Sequence, residues 1–112
     1  MTSYISDDQM RVGLATAKAY TAVILHPGPN YGAPEAQSIV WEHGRRNFGL
    51  RADGVLSVVC PVRDDSDVCG IGIFDLDLDA TVAVMADDPG VAAGVFTYTA
   101  HPVSGFPGDR LP

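Results

Sequence analysis

His43 and Asn47 are polar side chains suited to proton chemistry, and they stand four residues apart in a segment with helical periodicity. That spacing puts them one turn apart on the same side of a helix. At about 100° per residue, Ile39, Val40, Trp41, Gly44, Phe48 and Leu50 span a broad apolar arc of the segment, with Glu35, Glu42, Arg45 and Arg46 opposite. His43 and Asn47 fall inside the apolar arc, so both point toward the interior. An unsatisfied buried polar group costs about 1–3 kcal/mol. An inward imidazole and an inward amide therefore need either partners in the protein or a hydrated cavity. Two readings of His43 follow: a core histidine bonded to a backbone carbonyl, or the proton carrier of a small-molecule pocket.

Asp88 is the natural companion. It lies where a second, shorter helix gives way to the closing segment Pro89 to Ala93. A carboxylate near His43 would fix the imidazole tautomer and stabilise its protonated form, as a general base requires. The competing reading is that Asp88 only caps the short turn begun by Pro89. The candidate set is thus His43 and Asp88 as catalytic residues, with Asn47, His26 and Tyr98 as substrate contacts.

Other motifs carry less. Asp75, Asp77 and Asp79 alternate like the first half of a calcium loop, but Ala80 and Ala86 stand where the glycine and the final glutamate are needed. Helix capping accounts for them better. Asp64, Asp65 and Asp67 read as a solvated hairpin turn. His26, His43 and His101 are isolated and lack paired metal-ligand spacing, so no metal is expected. Cys60 or Cys69 with His43 would make a thiolate pair, but small strand cysteines are commonly inert. No glycine loop has the surroundings of a nucleotide site, and no cofactor is implied.

The positioning elements follow from local chemistry. Ser6 can cap a helix running to Lys18, with Asp7 and Asp8 in its first turn. Tyr20 to His26 is β-branched and aromatic and stops at Pro27-Gly28-Pro29-Asn30, which marks a strand. The helix with His43 runs from Glu35 to Ala52 and ends at Asp53-Gly54. Val55 to Cys60 is a second strand. Val68 to Phe74 is a third, with Gly70 and Gly72 where another backbone approaches. A short helix, Ala80 to Ala86, and a last strand, Gly94 to His101, complete the order. This is an α+β chain on the ferredoxin-like split βαββαβ plan, an antiparallel sheet with helices on one face, preceded by an extra N-terminal helix. Residues 1–19 form an arm and residues 20–112 one domain. The strands are apolar on both faces while the helices cover one, so a second copy of the chain is expected over the other, giving a homodimer.

The whole-chain totals exclude several classes. At 112 residues there is room for one core. The formal charge of −7 repels phosphate backbones, so nucleic acid is not an expected partner. No apolar run approaches the ~20 residues of a membrane span. The first residues lack the pattern of a secretory signal, which leaves Cys60 and Cys69 as reduced thiols of a cytoplasmic protein.

The run Trp41-Glu42-His43-Gly44-Arg45-Arg46, the strand ending in Cys60-Pro61, the glycine-bearing strand after Cys69, and Ala86-Asp87-Asp88-Pro89-Gly90-Val91-Ala92-Ala93-Gly94-Val95-Phe96 together resemble the YciI-like (YCII-related) family, from Tyr20 to about Pro102. The resemblance implies a dimeric α/β barrel related to muconolactone isomerases, with a histidine and aspartate pair at His43 and Asp88. It suggests elimination or isomerisation of small ring compounds. Cys60 departs from the glycine usual before that proline, His101-Pro102-Val103 replaces the common proline and aromatic ending, and the arm lies outside the family core. The alternative function is a non-catalytic dimeric module that binds a metabolite or another protein, since folds host many functions.

Overall fold

A computed structural model describes the whole chain, Met1–Pro112. Ser6 opens α1 (Asp7–Leu14) with a capping box: Gln9 N–H donates to Ser6 Oγ at 3.2 Å and Ser6 N–H donates to Gln9 Oε1 at 2.9 Å. The helix stops at Leu14, short of the expected Lys18. Thr16 donates its hydroxyl to Gly13 O at 2.7 Å, a local bond that competes with helix continuation. No residue of α1 is buried, so the arm adds nothing to the core.

Lys18 instead begins β1 (Lys18–Pro27), whose alternation buries Thr21, Val23 and Leu25 on one face and sends Ala22, Ile24 and His26 to the other. The long helix α2 (Ala36–Ala52) closes at Gly54, whose φ of 76° is the left-handed cap that glycine adopts without penalty. β2 (Leu56–Pro61) and β3 (Gly70–Phe74) pair antiparallel across a turn in which Asp64 accepts from Ser66 N–H at 3.0 Å. α3 (Leu78–Ala86) is capped by Asp77, which accepts from Ala80 N–H at 2.8 Å, so this part of the acidic run is helix chemistry. Pro89 then starts a single turn, α4 (Pro89–Ala92), and β4 (Phe96–Gly105) ends the fold.

The sheet order is β2-β3-β1-β4, antiparallel throughout. Each β-helix-β crossover therefore encloses a strand of the other, which is the split βαβ arrangement of a ferredoxin-like α+β fold. β4 runs past the expected His101 because it pairs with β1 from Pro27↔Phe96 to Lys18↔Gly105. Pro102 is tolerated within it because β4 is an edge strand.

Val23, Leu25, Ala36, Leu56, Phe74, Met85, Val95 and Phe96 form the core between the helices and one sheet face. The opposite face, with Ala22, Ile24, Val58, Ile71 and Ile73, is left uncovered, and Ile71 is 45% exposed. The apolar arc expected on α2 is too broad: Trp41 is 70% and Phe48 66% exposed, and Val40 is exposed too. A helix laid on a sheet buries a narrow stripe. Here that stripe runs through Ala36, Ile39, His43, Asn47 and Leu50. No helix is long and apolar enough to cross a membrane.

Candidate active site

α2 sets His43 on its sheet-facing stripe, and the turn between α3 and α4 brings Asp88 to it. Asp88 is an N-cap, with Oδ2 accepting from Gly90 N–H at 3.0 Å and Val91 N–H at 3.1 Å. That leaves Oδ1 free to receive His43 Nδ1–H at 2.8 Å. Asp88 thus makes both contacts, the bond to His43 on one oxygen and the cap on the other. The carboxylate is 1% exposed and the imidazole 12%. Burial alone would push the Asp88 carboxyl up. The hydrogen bond and charge of His43, the Val91 N–H and the Arg46 guanidinium outweigh it, and hold the group below the ordinary aspartate value.

An ionised carboxylate only accepts, so Nδ1 carries a proton, and in the neutral imidazole Nε2 then keeps its lone pair. In that neutral form Asn47 Nδ2, 3.2 Å from Nε2, donates to it. Phe96 packs its ring against the imidazole, with centroids 4.8 Å apart. No buried side-chain nitrogen or oxygen lacks a partner.

His43 and Asn47 line a cleft of about 100 Å³ between the helices and the sheet, open on one side. Asp88 is not part of its wall, so Nδ1 points away from the cleft and Nε2, with the Asn47 amide, is on the cleft side. The remaining wall is mostly apolar and includes Leu25, Val59, Met85 and Phe96. The floor is β3, where Gly70 and Gly72 face the helices. No close backbone approach requires glycine at position 70, contrary to the sequence expectation. A Cβ there would meet nothing nearer than Cys60 O at 3.6 Å.

The expected contacts divide. Asn47 is in the site. His26 follows Leu25 in β1 and so lies on the opposite sheet face, where its Nδ1 is 2.9 Å from Asp67 O. Tyr98 packs at the margin of the core opposite Leu25, outside the cleft wall. Cys69 is at the wall and Cys60 is on the uncovered face, both as free thiols. No group of three or more metal-ligating side chains converges.

Arg46, placed on the solvent side by the wheel, is instead half-buried. It donates from Nη2 to Val84 O at 2.7 Å, and its Nη1 lies 3.8 Å from Asp88 Oδ1. Its place three residues after His43, beside the Ile39 and Leu50 positions on the wheel, is the signal that locates it. Comparison with known proteins finds no family model that matches the chain and no significant match among curated proteins.

Proposed function

We propose that the protein is a cofactor-independent enzyme that moves a proton on a small molecule, in the manner of an isomerase or a lyase acting on a small ring compound. The observation that carries this is the 2.8 Å bond between His43 Nδ1 and an almost wholly buried Asp88 at the wall of an open cleft. In this reading His43 Nε2 takes the substrate proton. Asp88 is the positioning residue that holds the tautomer and stabilises the imidazolium as it forms. Asn47 gives up its bond to Nε2 when substrate enters and turns its amide to a substrate oxygen.

The resemblance to YciI-like domains supports the same chemistry. The uncovered apolar sheet face supports a homodimer closed face to face, as in a dimeric α/β barrel. Two free thiols suit a reducing, cytoplasmic setting.

A second reading has its own observation. The lone pair of Nε2 is already engaged by Asn47, as in a closed structural network, and a non-catalytic binding module needs no more than that. The test is deuterium exchange: a panel of small lactones and enols is incubated with wild type and His43→Ala in heavy water. The enzyme reading expects at least one member to exchange its acidic C–H faster with wild type. Equal rates across the panel leave the binding module.

A further inference from the structure

The cleft exists because β3 carries glycine at two successive helix-facing positions. Gly70 and Gly72 share that face with Phe74, and their neighbours in the wall are full-sized side chains: Leu25, Leu56, Val59 and Met85. Neither glycine has a positive φ. Gly70 would accept a Cβ at ordinary contact distance, and at Gly72 a Cβ would stand 3.2 Å from Leu56 Cδ1, a side-chain end that can move. Backbone geometry therefore does not demand these glycines, while glycine within a strand weakens it. What they provide is space.

The charge around that space is equally specific. No lysine or arginine lines it. Arg46 is committed to Val84 O and Asp88, Arg45 pairs with Glu42 at 3.2 Å, and Lys18 bonds Asp75 at 2.8 Å. An anion entering the cleft would lose its hydration with no lysine or arginine to replace it, and with the Asp88 carboxylate just behind His43.

We infer that Gly70 and Gly72 set the size of the cleft, and that it selects a small uncharged molecule, mainly apolar, with one oxygen that reaches His43 and Asn47. Phosphates and carboxylates are refused. This rests on the reading of the His43 cleft as a ligand site and adds the class of ligand. An apolar cavity of ~150 Å³ holds benzene, so a single ring seated partly in the mouth suits about 100 Å³.

Phenol and benzoate are the probes, since they share a ring and differ in charge. In titrations of ¹⁵N-labelled protein at neutral pH, phenol shifts the Gly70 and Gly72 amides and the Asn47 side-chain amide saturably, and benzoate does not. Gly70→Ala weakens phenol about tenfold or more, with a melting temperature no lower than wild type. Gly72→Ala provides a second filled floor. Benzoate bound as tightly as phenol, no shift at these residues with phenol, or unchanged phenol affinity in a folded Gly70→Ala each overturn the inference. Should both variants unfold, the choice between phenol and benzoate by wild type decides it. Binding is read without turnover. Selection of phenol alongside equal deuterium exchange by wild type and His43→Ala removes the acid-base reading and leaves the ligand class standing. Tight benzoate binding with His43-dependent exchange does the reverse.

Discussion

Asp88 holds His43 across 45 positions of sequence, with Oδ1 on the imidazole Nδ1 at 2.8 Å, while its other oxygen closes the first turn of α4. One residue thus joins the long helix to the turn that precedes β4. Because the two duties fall on separate oxygens, they can be separated by substitution.

Asp88→Asn keeps an oxygen for the Gly90 and Val91 N–H groups and turns an amide N–H toward His43. The imidazole must then accept at Nδ1 and carry its proton on Nε2, the reverse of the wild-type tautomer. Long-range ¹H–¹⁵N spectra of the histidine ring report this directly, and an unchanged tautomer would show that Asp88 does not set it. Any proton-transfer activity should fall by about 10²–10⁴. Asp88→Ala loses the cap as well, so it should be less stable than Asp88→Asn by about 1 kcal/mol in denaturant titrations.

Acid should destabilise the fold through the same residue. The folded state keeps the Asp88 carboxyl ionised to a lower pH than the unfolded chain does. Its contribution is complete above the ordinary carboxylate range. It is lost as pH falls through that range toward Asp88's own lower value, because the unfolded chain takes up the proton first. Urea titrations at about pH 6 and about pH 3 should show a larger loss for wild type than for Asp88→Asn. Equal losses would mean that the His43 bond does not stabilise the carboxylate.

Gly90 lies against the ring that abuts the imidazole. A Cβ there would stand 2.5 Å from Phe96 Cδ2 and 3.0 Å from Asp88 Oδ2, so Gly90→Ala must displace α4 or Phe96. It is expected to lower stability by about 1–3 kcal/mol. Gly49, within α2, has nothing within 4 Å of the corresponding position. Gly49→Ala should raise stability by about 0.5–1 kcal/mol. Thermal melts of the two variants should move in opposite directions.

The uncovered sheet face makes its own prediction. Ile24 lies at its centre on β1, opposite Ile71 of β3. If two copies close over this face, Ile24→Glu buries an unpaired charge in the interface and yields monomers in sedimentation, with the fold retained in circular dichroism. A wild-type protein that sediments only at 11.8 kDa at micromolar concentration ends the dimer proposal.

Features carried by a few neighbouring residues were legible along the chain. Ser6 and Asp77 cap where their side chains can reach the next free N–H groups, Gly54 ends α2, and the β-branched and aromatic run from Tyr20 to His26 marks β1. The sequence also placed His43 and Asn47 on an inward stripe and named Asp88 as the carboxylate. Even the separation of His26 from the cleft was implicit, since a residue next to Leu25 in a strand must face the other way. What no local pattern contains is the distance between elements. The width of α2 that is buried, and hence the exposure of Trp41 and Phe48, depends on how the helix lies on the sheet. The extension of β4 to Gly105 depends on β1 offering unpaired backbone groups all the way to Lys18. Arg46 turns inward because a carbonyl of α3 and the Asp88 carboxylate meet it there, and Gly70 and Gly72 become the floor of a cleft only once helices are laid above them. Caps, turns and strand propensity are settled within a few residues by backbone valence and side-chain shape. Cavities and the environments of buried charges arise from the packing of segments far apart in the chain, and so are set by the assembled fold.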